Sequence, residues 1–113
     1  MSYCTKITDA ACEHLRGIQT LVMIRCDRIT DAAFENFRGI NTLDMSYCTD
    51  ITDAACEHLR GIQTLVMTRC DRMTDAAFEN FRGIQTLSMF GCRQSQIDAA
   101  QSILGEIPNF SWA

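Results

Sequence analysis

Apolar residues return at fixed places in a frame of 22 residues. Its clearest copy runs from Leu43 to Thr64, LDMSYCTDITDAACEHLRGIQT, and the next, Leu65 to Thr86, reads LVMTRCDRMTDAAFENFRGIQT. The same frame covers Leu21 to Thr42, and Cys4, Cys26, Cys48, Cys70 and Cys92 mark it at intervals of 22 residues. A period of about 20–50 residues belongs to stacked supersecondary units, each burying its apolar face against the next. Within a frame, Leu21-Val22-Met23 alternates in and out, the pattern of a half-buried strand. Thr30 stands where an N-cap is wanted, and Asp31 follows beside the positive end of a helix. Ala32, Ala33, Phe34 and Phe37 then run at helical spacing, and Gly39 takes the left-handed position that ends a helix. Each frame therefore predicts a three-residue strand, a turn and a helix of about two turns.

The copies are not all equal. Residues 1–42 laid on 45–86 differ only at Lys6/Asp50, Ile24/Thr68, Ile29/Met73 and Asn41/Gln85, so 38 of 42 positions match. The larger unit is 44 residues, with one half carrying ACEHL (Cys12, Cys56) and the other AFENF (Phe34, Phe78). The chain enters in mid-frame at Met1. The fifth frame, from Leu87, holds one extra residue between Cys92 and Asp98. Aligned on Asp98-Ala99-Ala100, it puts Leu104 at the Phe81 position and Ile107 at the Ile84 position. Phe110-Ser111-Trp112 then falls on Leu87-Ser88-Met89, a truncated sixth strand. The expected core is Ile7, Leu15, Ile18, Leu21, Met23, Cys26, Ile29, Phe34, Phe37, Ile40 and their equivalents 22 or 44 residues on. A small Cys beside a large Phe in the next layer adjusts core volume. All 113 residues read as one domain of about five frames plus that strand.

Ten basic and 14 acidic side chains give a net charge of −4. With no basic patch, nucleic acid is not an expected partner. The apolar runs are too short to span a membrane, and no secretory signal opens the chain, so a cytoplasmic address is expected. Seven cysteines raise a disulfide framework only in an oxidising compartment, and five of these seven share one repeated position. Reduced thiols are expected.

The run Ile18-x-x-Leu21-x-Met23-x-x-Cys26-x-x-Ile29-Thr30-Asp31 resembles a leucine-rich repeat. It is similar in particular to the cysteine-containing subtype, whose repeats read LxxLxLxxCxxITD. Met stands at the sixth position, where that subtype usually has Leu. The resemblance covers essentially the whole chain. It implies an α/β leucine-rich-repeat solenoid, a horseshoe or arc with a parallel β-sheet on the concave side and short helices on the convex side. The subtype is best known from F-box substrate receptors of ubiquitin ligases and also occurs in bacterial, protist and giant-virus repeat proteins. The chain carries no F-box, and no ubiquitin-related role is expected.

Chemistry-bearing residues favour packing over catalysis. Laddered cysteines stacked at about 4.7–4.9 Å act as small apolar side chains whose S–H groups bond turn carbonyls. Cys12-Glu13-His14 and Cys56-Glu57-His58 invite a thiol–imidazole reading, but residues two apart on a helix do not face each other. Cys12 takes the inward position of Phe34. His14 takes that of Asn36, which is expected to face solvent. The two histidines stand two frames apart, too far to share a metal. Glu35 and Arg38 are placed for a weak surface pair. No catalytic residue, cofactor or metal site is assigned, and a thiol-dependent enzyme remains a remote alternative.

The exposed strand positions form three columns: Val22, Asp44, Val66, Ser88 and Ser111; Ser2, Ile24, Ser46, Thr68 and Phe90; Tyr3, Arg25, Tyr47, Arg69 and Gly91. In the third, guanidinium groups alternate with rings and can stack on them. Tyr and Arg are enriched in binding hot spots, so this concave surface is the expected contact for a protein partner. Its perfect repetition fits copying as well as selection, which leaves an engineered array with no natural partner as the alternative. Phe110 and Trp112 at the C-terminal end predict self-association, with a closed dimer favoured over a filament.

Overall fold

The computed structural model describes residues 8–25, 28–70 and 72–112. It is an α/β protein with one five-stranded parallel sheet: β1 (Thr20–Val22), β2 (Thr42–Asp44), β3 (Thr64–Val66), β4 (Thr86–Ser88) and β5 (Asn109–Ser111). The strands lie side by side in chain order. Leu21 pairs with Leu43, Leu43 with Leu65, Leu65 with Leu87 and Leu87 with Phe110. The tail thus takes the strand position its alignment predicts, despite the extra residue before it.

Short helices connect the strands, and most differ in kind from the sequence expectation. Asp9–Leu15, Asp31–Phe37 and Asp75–Phe81 are 3-10 helices of seven residues. In the third frame a four-residue α-helix, α1 (Asp53–Cys56), runs into a 3-10 turn, Glu57–Leu59. Three residues per turn bring positions i and i+3 into line. Phe34 and Phe37 therefore point the same way, fully buried and edge to face, with ring centres 5.4 Å apart at 74°. Phe78 and Phe81 repeat the arrangement at 6.2 Å and 71°. Among the described residues only the fifth frame builds a full helix, α2 (Gln94–Leu104). Its buried Gln96, Ile97, Ala99 and Ala100 and half-buried Ile103 and Leu104 follow the 3.6-residue period instead. After each helix a glycine turns the chain back, as Gly39 does at φ +83°, where a side chain would be strained.

The core is one continuous cluster between the sheet's leucine face and the helices. Leu43, Met45, Cys48, Ile51 and Cys56 are wholly buried, as are Leu65, Met67, Cys70 and Phe78. In the first frame Leu15 and Ile18 are only half-buried, whereas their equivalents Leu59 and Ile62 are closed off. Leu104 and Ile107 are likewise half-buried. Ile7 and Cys26 lie outside the described residues. Among the described residues no helix is long and apolar enough to cross a membrane.

Candidate functional site

The sheet face opposite the core is the candidate contact surface. Along it Val22, Asp44, Val66 and Ser88 stand half-buried in strand register, and Ser111 is exposed. Parallel pairing brings each beside its equivalent, because side chains alternate across a strand and every frame enters in the same phase. In the next column Ile24 and Thr68 are half-buried and Phe90 is 45 % exposed. Ser46 departs from the expectation. It is 6 % exposed and turned onto its own strand, donating its Oγ–H and its N–H to Asp44 Oδ1 at 2.8 and 3.1 Å. An aspartate two residues before a serine closes a local turn, so Ser46 offers nothing to a partner.

The Tyr–Arg column is also not where an extended strand would put it. The strands stop at Val22, Asp44 and Val66, and Arg25, Tyr47 and Arg69 sit in the following turn at φ +58°, +60° and +57°. The Arg25 and Tyr47 amides still reach the next frame, donating to Ser46 O at 3.0 Å and Thr68 O at 2.7 Å. The fifth frame has Gly91 at the same place, at φ +76°. That glycine was the sequence signal for a left-handed position. The Arg25 guanidinium lies 5.4 Å from the centre of the Tyr47 ring, so stacking does occur there. A Cβ on Gly91 would lie 3.5 Å from Arg69 Cγ and 3.7 Å from Arg69 Nε, so Arg69 lies along this bare position. Tyr3 and Ser2 lie outside the described residues.

At the sheet's C-terminal edge, Phe110 and Trp112 pack ring to ring at 4.8 Å. With Phe90 and Ser111 they line an apolar hollow of about 240 Å³. Trp112 is 42 % exposed.

The cysteine column has a defined structural role. Cys48, Cys70 and Cys92 donate S–H to Met23 O, Met45 O and Met67 O at 3.1, 3.1 and 2.8 Å, each reaching back into the preceding frame. Cys12, Cys48, Cys56, Cys70 and Cys92 are not bridged to one another by disulfides. Burial pushes the Cys70 thiol well above its usual range, with the neighbouring Cys48 and Cys92 adding to it. Burial does the same to Cys56, reinforced by Asp53 and Asp31. Cys56 Sγ rests on Met73 Sδ at 3.8 Å. His14 is exposed and His58 half-buried, but the aligned Asn36 and Asn80 are buried, contrary to expectation. Their amide Nδ2–H groups bond Ala33 O and Ala77 O at 3.1 and 3.2 Å within the same helical turn.

The largest feature missed in the sequence joins successive frames. The backbone N–H groups of Thr30, Thr52 and Thr74 donate to Asp9, Asp31 and Asp53 at 2.7 Å, and their hydroxyls donate to the other carboxylate oxygen of the same aspartates. The sequence assigns those threonines to capping their own helices. Only the Thr52 hydroxyl does so, accepting the Ala54 N–H at 3.3 Å. The recurring Thr-Asp pair was the available signal.

No family model matches the chain, and no curated protein matches it.

Proposed function

We propose that the chain is a leucine-rich-repeat solenoid of the cysteine-containing subtype that serves as a non-catalytic scaffold for protein–protein interaction. The observation that carries this reading is the helix-free sheet face with its flanking turns. Val22 and Val66 lie in one register column, and Tyr47 and Phe90 are exposed large hydrophobic residues. Arg25 and Arg69 are exposed beside them. Aromatic and guanidinium groups held in the turns beside an ordered sheet are the residue types that dominate binding hot spots. The test compares affinity capture by the intact chain and by Tyr47→Ala/Arg69→Ala, followed by titration of each captured protein with both. Retention and affinity that are equal for the two would sink the proposal.

Self-association is a second reading, supported by the Phe90–Phe110–Trp112 hollow beside β5. Light scattering is expected to give a dimer for the intact chain and a monomer for Phe110→Ser/Trp112→Ser. A monomeric intact chain would remove this reading.

A further inference from the structure

The column of threonine–aspartate rungs stops one step before the fold does, and a pocket lies at the break. In the three complete rungs the threonine backbone is extended, with φ of −111°, −119° and −99° at Thr30, Thr52 and Thr74. The same carboxylate recurs at Asp75, but the equivalent of its threonine is Ile97, which is buried within α2. The first turn of α2 uses its own amides, because Gln96 N–H and Ile97 N–H both donate to Arg93 O, at 3.0 and 3.1 Å. The Gln96 side chain is occupied as well. Its Nε2–H groups donate to Cys70 O and Met73 O at 3.1 Å, and its Oε1 accepts the Arg93 N–H at 3.1 Å. Among the described residues no donor reaches the Asp75 carboxylate, which is exposed on the wall of a cavity of about 380 Å³. Arg72, Thr74, Arg93, Ser95 and Gln96 line the same cavity.

The three complete rungs define what the incomplete one accepts: an extended residue offering its N–H and its β-hydroxyl to the two oxygens of one carboxylate. Hydrogen bonds to an ionised acceptor are among the stronger ones available. The cavity volume falls in the range, about 300–1,000 Å³, that holds small ligands. Each threonine that docks in a complete rung is itself followed by an aspartate, and Arg72 lines the cavity beside Asp75, which favours a carboxylate next to the hydroxyl-bearing residue. We propose that the Asp75 pocket binds an extended peptide segment in which serine or threonine is followed by an acidic residue, docked as Thr52 docks on Asp31. None of its lining residues belongs to the sheet-face surface, so either proposal can fail without the other.

The test is a nuclear magnetic resonance titration of the full chain with a capped peptide copying residues 51–55. Saturable shifts are expected at the Asp75, Ser95 and Gln96 amides. Asp75→Ala is expected to weaken binding roughly tenfold or more, the size of losing hydrogen bonds to a charged group. Replacing the peptide's threonine by valine, or methylating its amide nitrogen, gives a similar loss on the unaltered chain, so the result stands even if Asp75→Ala folds poorly. Tyr47→Ala leaves the binding unchanged. The proposal is overturned by equal binding of the threonine and valine peptides, by shifts that saturate elsewhere, or by no saturable shift up to about 10 mM peptide.

Discussion

The middle frames, Thr20 to Ser88, and the last segment, Met89 to Trp112, solve the same packing problem with different chemistry. In the middle, a short helix, 3-10 at Asp31–Phe37 and Asp75–Phe81 and mixed α and 3-10 from Asp53 to Leu59, carries two inward residues three apart, and a polar rung on the outer side fixes each frame to the one before. In the last segment, α2 carries a longer apolar stripe and the rung is gone. Gln96 takes over part of the connection by bonding Cys70 O and Met73 O from within the core. The left-handed turn position, filled by Arg25, Tyr47 and Arg69, becomes Gly91. The difference teaches that the frame's apolar positions are enough to extend the sheet by one strand. The polar rungs and turn residues belong to the copied middle, where each frame meets a near-identical neighbour.

The largest expected effect tests that division in the core. Phe78→Ala is expected to cost about 3–5 kcal/mol by chemical denaturation, the usual range for a buried aromatic. Leu104→Ala, at the half-buried equivalent of Phe81, is expected to fall below the lower end of the 2–5 kcal/mol typical of a buried leucine, so about 1–2 kcal/mol. Equal losses would mean the last segment is as tightly packed as the middle.

The buried thiols come next. Their raised folded-state values mean that the unfolded chain ionises first, above the ordinary value of about 9.0. The stability they contribute is therefore complete below that pH and lost as pH rises, by about 1.4 kcal/mol per thiol for each pH unit. Denaturation at pH 8 and pH 10 is expected to show a smaller drop in Cys56→Ala/Cys70→Ala than in the unaltered chain. In the native protein at pH 8, half-buried Cys92 is expected to alkylate before Cys48, Cys56 and Cys70. A wild-type pH dependence identical to that of the double variant would contradict the assignment.

Rungs give the third comparison. Asp53→Ala is expected to cost about 1.5–3 kcal/mol, since it removes an acceptor of two charge-assisted hydrogen bonds. Asp75→Ala, with no rung to lose, is expected to stay within about 0.5 kcal/mol. Similar losses at the two sites would show that Asp75 has a structural partner. The last comparison is at the turn. Gly91→Ala is expected to cost about 1–2 kcal/mol, because an L-residue is strained at its positive φ and the new Cβ would meet Thr68 Cγ2 at 3.3 Å. Unchanged stability would show that the last turn relaxes freely.

The sequence by itself determined the strand order, the register and most of the core. A fixed spacing of apolar residues leaves each frame one way to bury its leucine against the next, and a one-residue slip would turn Leu43 outward. It also located the Phe110–Trp112 edge and the cysteine column, and it paired Arg25 with Tyr47 while placing both on strands instead of in the turns that follow. Tertiary structure alone decided what the polar residues do. Thr30 and Thr74 look like helix caps in sequence, but neither hydroxyl caps its own helix; the neighbouring frames bring Asp9 and Asp53 to them, and each carboxylate accepts both the hydroxyl and the backbone N–H. Asn36 reads as a solvent residue, but the tight 3-10 turn draws it inward. Ser46 leaves the contact surface because Asp44 captures it. Apolar burial adds up over a periodic face and is legible as a pattern. A hydrogen bond depends on one partner at one distance, and only the folded chain sets that distance.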